Sequence, residues 1–261
     1  MPLALPPSLT LETIDTIAVI RLSRAEKRNA LDDGTVEGLG HFFSHIPNGI
    51  GAVVLCGEGP HFCAGLDLAG AVTTPGLLDG IRHSQMWHRA FHDIQFGSVP
   101  VVCVLHGAVV GGGLELAAAT HIRVAEPSAY YGLPEGQRGL FLGGGGSVRI
   151  PRLIGTQRVM DMMLTGRTLS VEEGHAIGIS QYLAPEGEGL AKAIELARKI
   201  AANAPISNYA VMHALPRNAE GDAATGYFTE ALMAGIAETS PEAKQRLADF
   251  LAKRGGKVTR Q

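Results

Sequence analysis

Short runs of β-branched and aliphatic residues alternate along the chain with longer stretches in which apolar side chains recur every three or four positions. Residues 16–22 (TIAVIRL) and 52–57 (AVVLCG) read as strands, and the amphipathic stretch 32–46 between them reads as a helix. The pattern then repeats. A long helical stretch over 77–95 ends before Ser98-Val99-Pro100, because the residue preceding a proline is pushed out of the helical region. A strand at 101–105, a glycine-rich turn, a short helix at 112–120 and a strand at 121–125 follow. Alternating strands and helices predict the α/β class. From about Gly144 onward helical patterns dominate, over 155–165, 171–178, 187–203, 206–216, 222–238 and 241–254, with no strand longer than a few residues. An α/β core over residues 1–200 is therefore expected, followed by a helical region over 201–261 that docks on the core or on another subunit. No repeat stands at a fixed solenoid period.

Composition narrows the function classes. With 22 Lys and Arg against 25 Asp and Glu, the net charge is −3, and basic residues cluster only at Lys253, Arg254, Lys257 and Arg260. A nucleic-acid footprint is not expected from that balance. No stretch reaches the ~18 apolar residues of a membrane span, and the start, Met1-Pro2-Leu3-Ala4-Leu5-Pro6-Pro7, lacks a basic leader. Cys56, Cys63 and Cys103 form no C-x-x-C pair, so a reduced, cytoplasmic protein without a disulfide framework or zinc site is expected. Glycine stands out at 34 of 261 residues, roughly twice the ~7% of average proteins, and asks for a backbone explanation. A small molecule is the expected partner.

Candidate chemistry begins at Leu105-His106-Gly107-Ala108-Val109-Val110-Gly111-Gly112-Gly113-Leu114-Glu115-Leu116, a strand running through glycines into a helix. The first N–H groups of a helix lack intrahelical partners and carry the positive end of its dipole, and glycines let a ligand oxygen approach them. Helical side chains tilt toward the N-terminus, so Glu115 is placed to lean toward a ligand held by the Gly112 N–H. The same residues serve equally as a close-packing turn followed by a solvated, dipole-stabilised carboxylate. A second carboxylate, Glu135, stands in the apolar loop Tyr130-Tyr131-Gly132-Leu133-Pro134-Glu135-Gly136, where burial would raise its pKa; an exposed loop charge is the plain alternative. The turn 59–68 after the strand at 52–57 offers a second backbone donor. Other signals are weaker. The glycines at 107–113 lack the G-x-G-x-x-G spacing of a dinucleotide site, 143–146 lacks the Lys-Ser/Thr of a P-loop and suits close packing or an oxyanion-loop geometry, and His88 with His92 lacks a third metal ligand.

Three ordered blocks, Phe62-Cys63-Ala64-Gly65-Leu66-Asp67-Leu68, Gly111-Gly112-Gly113-Leu114-Glu115-Leu116-Ala117 and Tyr131-Gly132-Leu133-Pro134-Glu135, resemble the signatures of the enoyl-CoA hydratase/isomerase (crotonase) superfamily. The resemblance extends to Lys27-Arg28-Asn29-Ala30-Leu31, Leu164-Thr165-Gly166-Arg167 and Phe250-Leu251-Ala252-Lys253-Arg254, nearly the whole chain. It implies a crotonase-like spiral of ββα units followed by C-terminal helices that mediate a homotrimer, commonly a hexamer of two trimers. It also implies that the backbone N–H groups of Leu66 and Gly112 form an oxyanion hole for a CoA thioester. Glu115 would act as the base toward water and Glu135 as the acid toward Cα, with coenzyme A part of the substrate and no separate cofactor or metal. Arg24, Lys27 and Ala64, with Lys253 or Lys257, would meet the CoA moiety.

Both glutamates favour a hydratase of acyl-CoA or fatty acid metabolism, since isomerases resembling this chain usually keep only the one matching Glu135. An isomerase, another acyl-CoA lyase or hydrolase, and a non-catalytic CoA-ester-binding homologue are the alternatives. The chain departs from the family after Glu135, with Gly136, Arg138 and Phe141 beside the acyl pocket and Leu142 where a proline is usual, and at His106, where Asn is common. Trp87, Tyr131, Arg138 and Phe141 would line the pocket, with Tyr130 and Met86 nearby, and would suit an aromatic or branched acyl group; Met86 and Trp87 also read as ordinary core.

Overall fold

The computed structural model describes residues 5–71 and 76–252. The chain divides into two compact units, Met1–Ala201 and Ala202–Gln261.

In the first unit, β1 (Leu9–Ile14) and β2 (Ile17–Leu22) form an antiparallel pair, followed by a 3-10 turn at Ala25–Lys27 and α1 (Asp33–Ser44). Asp32 caps α1 by accepting from the Thr35 N–H at 2.8 Å. The chain continues through β3 (Ala52–Gly57), α2 (Leu68–Ala71), α3 (Leu77–Gln95), β4 (Val101–Leu105), β5 (Ala108–Val110), α4 (Gly112–Ala118), β6 (Ile122–Ala125) and β7 (Tyr130–Gly132). After a 3-10 turn at Glu135–Arg138 come α5 (Gly146–Ile154), α6 (Thr156–Thr165), β8 (Thr168–Ser170), α7 (Val171–Ala176), β9 (Tyr182–Leu183) and α8 (Gly189–Ala201). The large sheet runs β1-β2-β3-β4-β6-β9, parallel except for its first pair, and a small sheet runs β5-β7-β8. The units β4-β5-α4 and β6-β7-α5 show the repeat: one strand enters each sheet, then a helix follows.

Period-two alternation builds two cores from the same strands. Ile17, Val19, Val54, Val102 and Val124 turn to one face and pack with Ala193, Leu196 and Ala197 of α8. Ile20, Val53, Leu55 and Cys103 turn to the other, in a cluster with Leu39 and Phe42 of α1 and Phe91 and Ile94 of α3. Burial on both faces explains why β3 and β4 are continuous apolar runs.

The second unit holds α9 (Pro205–Glu220), α10 (Ala223–Thr239) and α11 (Pro241–Leu251). Proline at the first turn of α9 and α11 loses no helical hydrogen bond there, and Asp222 and Ser240 cap α10 and α11.

The α/β class and the spiral repeat expected from the sequence are present. Several short elements are absent from the sequence reading, and four of them show why. β1 is an edge strand with four successive exposed residues, so no apolar run marks it. β5 and β7 are three residues each, too short for a periodic signal, and the segment read as a loop at Tyr130 to Gly132 is β7. α5 starts at a glycine and carries Pro151, two poor helix formers that hide it.

Candidate active site

Two glycines bring the ends of β5 and of the loop after β3 into contact. Gly65 has φ +94, and a Cβ there would lie 2.7 Å from the Val110 carbonyl oxygen and 3.1 Å from the Gly112 nitrogen. A Cβ on Gly113 would lie 2.5 Å from the Cys63 carbonyl oxygen, so only glycine lets α4 start against that loop. The loop is tied down by backbone bonds: Leu31 N–H donates to Gly65 O and Asp67 N–H donates to Leu31 O, each at 2.8 Å. The buried Asn29 side chain adds bonds from Nδ2 to Glu58 O at 2.9 Å and to His61 O at 2.7 Å.

Two N–H groups are thereby left side by side. Leu66 N–H donates to no group among the described residues, and Gly112 is the first residue of α4, where an N–H has no intrahelical acceptor. A Cβ built on Gly112 would stand 3.4 Å from the Leu66 nitrogen, which places the two donors at one spot. Both face a cavity of about 390 Å³. Its wall continues through Ala64, Leu68, His83, Ser84, Trp87, Glu115, Glu135, Arg138, Leu140, Phe141, Gly143 and Gly144.

Glu115 is 3% exposed. Its Oε1 accepts from the N–H of Gly144 at 2.9 Å and of Gly146 at 2.8 Å. Burial pushes its pKa up, and the Gly146 and Gly144 donors, then the charge of Arg149, oppose that rise. The helix end serving this carboxylate is thus the start of α5, whereas the sequence pattern pointed to the start of α4. The run at 143–146, expected as a packing turn or an oxyanion loop, gives its N–H groups to this side chain.

Glu135 opens the 3-10 turn after β7, and its Oε1 lies against Gly111. Its Oε2 is buried and has no hydrogen-bond partner among the described residues. Burial first, then the charge of Glu115, pushes its pKa up to about 7, with its own backbone N–H and Arg138 pulling the other way. Both carboxyls are therefore weaker acids than usual. What separates them is that Glu115 has two backbone donors holding its charged form, while one Glu135 oxygen has none.

The other sequence candidates divide. Leu66, Ala64, Trp87, Arg138 and Phe141 line the cavity. Trp87 is also core, 3% exposed and edge-to-face with Phe91 at 5.5 Å. Tyr131 is not part of the wall: it is fully buried with its ring against Gly174, because alternation along β7 turns it away from the cavity. Tyr130 and Met86 do not line the cavity either. Arg24 is held by Asp32 at 2.9 Å and Asp67 at 2.8 Å, and Lys27 is exposed on the 3-10 turn. Lys253 and Lys257 lie outside the described residues. The sequence reading missed His83 and Ser84, whose only signal was their position one turn before Trp87 on the α3 face.

The Enoyl-CoA hydratase/isomerase family model matches residues 12–259. A crystal structure from Rhodopseudomonas palustris, provisionally named an enoyl-CoA hydratase, is 52% identical with a TM-score of 0.92 over 95% of each chain. The short-chain-enoyl-CoA hydratase of Clostridium acetobutylicum is 27% identical over 250 residues, 95% of each protein. The fatty acid oxidation complex subunit alpha of Shewanella loihica is 40% identical over 149 residues, which are 56% of this chain and 21% of that relative, so the match spans about a fifth of its length.

Proposed function

Because this chain belongs to the enoyl-CoA hydratase/isomerase family of the crotonase superfamily, we propose that it adds water across the 2,3 double bond of an enoyl-CoA thioester. The observation that carries the reading is the pair Glu115 and Glu135 on one cavity beside the two unpartnered N–H groups of Leu66 and Gly112.

The thioester carbonyl oxygen accepts from those two N–H groups. As water adds to Cβ, negative charge moves onto that oxygen, and fixed donors stabilise it without reorganising; losing one typically costs ~3 kcal/mol of barrier. In its ionised form, which the Gly144 and Gly146 N–H groups favour, Glu115 takes a proton from the attacking water. Glu135 delivers its own proton to Cα. That role needs a carboxyl still protonated near neutrality, and burial, which pushes its pKa up to about 7, favours that state. One water thus yields the β-hydroxyl and a proton on Glu115, Glu135 supplies the Cα hydrogen, and proton exchange with solvent resets the pair.

Coenzyme A enters as part of the substrate. Lys27 is open to solvent and Ala64 lines the cavity, which suits contact with the CoA moiety, whereas Arg24 would have to leave two carboxylates to meet phosphate. Exposed Tyr227, Phe228, Leu232 and Ile236 along α10 support a homotrimer or hexamer, which sedimentation would test.

Incubation with crotonyl-CoA and with a cinnamoyl-type CoA thioester, following loss of the conjugated enoyl absorbance, tests the hydratase reading. Turnover of either supports it. Activity on a 3-enoyl-CoA alone would move the chain to the isomerases, and no turnover of any ester would favour a CoA-ester-binding protein.

A further inference from the structure

We infer that Arg149 is a positioning residue for the general base: it fixes the 143–146 loop over Glu115 and holds that carboxylate ready to accept a proton from water. The inference rests on the hydratase reading. Arg149 does not line the cavity. Its Nε donates to Gln95 Oε1 at 2.7 Å, at the last turn of α3, and its Nη1 donates to the Gly144 carbonyl at 3.0 Å. Gly144 in turn presents its N–H to Glu115 Oε1. A continuous chain therefore runs from Gln95 through Arg149 and Gly144 to Glu115.

The geometry is specific. Gly145 has φ +91, and a Cβ there would lie 2.3 Å from Arg149 Nη1, so the guanidinium folds back tightly over the first turn of its own helix. From that place it clamps the loop whose two N–H groups grip the base. It also supplies charge. The groups facing Glu115 are Arg149 from α5, Glu135 from the turn after β7, and the uncharged Trp87 and Phe91 of α3, which pack on Gly144; His88 of α3 stands beside Gly145. The charge of Arg138 acts on Glu135, and Arg152 faces Arg149 as a like charge that further disfavours the charged guanidinium. Arg149 is thus the cation opposing the burial of Glu115, and Glu115 returns the favour by supporting the charge of a guanidinium that burial weakens.

A cation favours the ionised carboxylate, so removing it raises the pH at which Glu115 gives up its proton. R149M is expected to lower kcat for hydration about ten- to a hundredfold, with KM within about threefold, because the base is misplaced while the oxyanion donors stay. The acid limb of the kcat profile should move up by about one pH unit. R149K keeps the charge but cannot span both acceptors, so it should restore the limb and only part of kcat. Q95L removes the anchor and leaves the cation, and should lower kcat with the limb unmoved.

An infrared titration of the Glu115 carboxyl, assigned by its loss in E115Q, reads the same link without turnover. Its midpoint should rise in R149M. A folded R149M with unchanged limb and unchanged midpoint overturns the inference. If R149M does not fold, wild-type kcat in both R149K and Q95L overturns it. A wild-type protein inert toward every 2-enoyl-CoA overturns the hydratase reading instead, and the infrared midpoint then decides the Arg149–Glu115 link alone.

Discussion

Replacing Glu135 by Gln should stabilise the fold at high pH while stopping the reaction. The carboxyl has an ordinary value of 4.5 and is pushed up to about 7 in the folded chain, chiefly by burial and then by the charge of Glu115. Between those values the unfolded chain has released its proton and the folded chain has not. Stability therefore falls as pH rises from 4.5 toward 7, and the loss is complete above 7. At about 1.4 kcal/mol for each factor of ten in proton affinity, the difference caps the cost at about 3 kcal/mol. The residue is only partly buried, and water around it reduces the figure to about 1 to 2 kcal/mol. E135Q removes this cost with nearly the same shape. It should be more stable than wild type by that amount at pH 8, with about a quarter of the gain left at pH 5. Denaturant unfolding of both proteins at the two pH values, at one protein concentration, measures it. An equal difference at both pH values, or a less stable E135Q at pH 8, refutes the burial argument. The same variant should lose about 10²- to 10⁴-fold in kcat while retaining CoA-ester affinity by calorimetry.

Other outcomes follow from the same geometry. E115Q should also lose about 10²- to 10⁴-fold in kcat with substrate affinity kept, read by steady-state kinetics beside calorimetry. G113A puts a Cβ 2.5 Å from the Cys63 carbonyl, so it should cost about 1 to 3 kcal/mol in denaturant unfolding and displace the proposed oxyanion donors, seen as a kcat loss larger than any KM change. Y131F should leave the acyl-chain preference unchanged across a series of enoyl-CoA lengths, because Tyr131 lies in the core; a shifted preference would return it to the pocket.

How much of this was legible depended on whether the signal was local. β3, β4 and α3 carry their own apolar patterns, and their ends fall within a residue of the sequence reading. Glu115, Glu135 and the Leu66 and Gly112 positions could be singled out because the residue types and glycines of each block stand together in the chain. The bonds from Gly144 and Gly146 to Glu115 could not, since they join segments about thirty residues apart through a loop whose path only packing decides. Tyr131 was misread for a related reason. A three-residue strand does not reveal which of its faces meets the cavity, and β7 is settled only by its pairing with β5 and β8.

The two donors beside the cavity are main-chain atoms, held by other main-chain atoms: Leu66 through its neighbours' bonds to Leu31, and Gly112 through the start of α4. No side-chain exchange at position 66 deletes its N–H, unless the newcomer is proline. Other parts of the wall are built from side chains, among them His83, Ser84, Leu140 and Phe141, each replaceable without deleting either N–H. Under the proposed hydration, heredity can thus rewrite which acyl groups fit while the paired donors stay out of reach of most point changes, a division of labour that makes such a scaffold easy to diversify and hard to disarm.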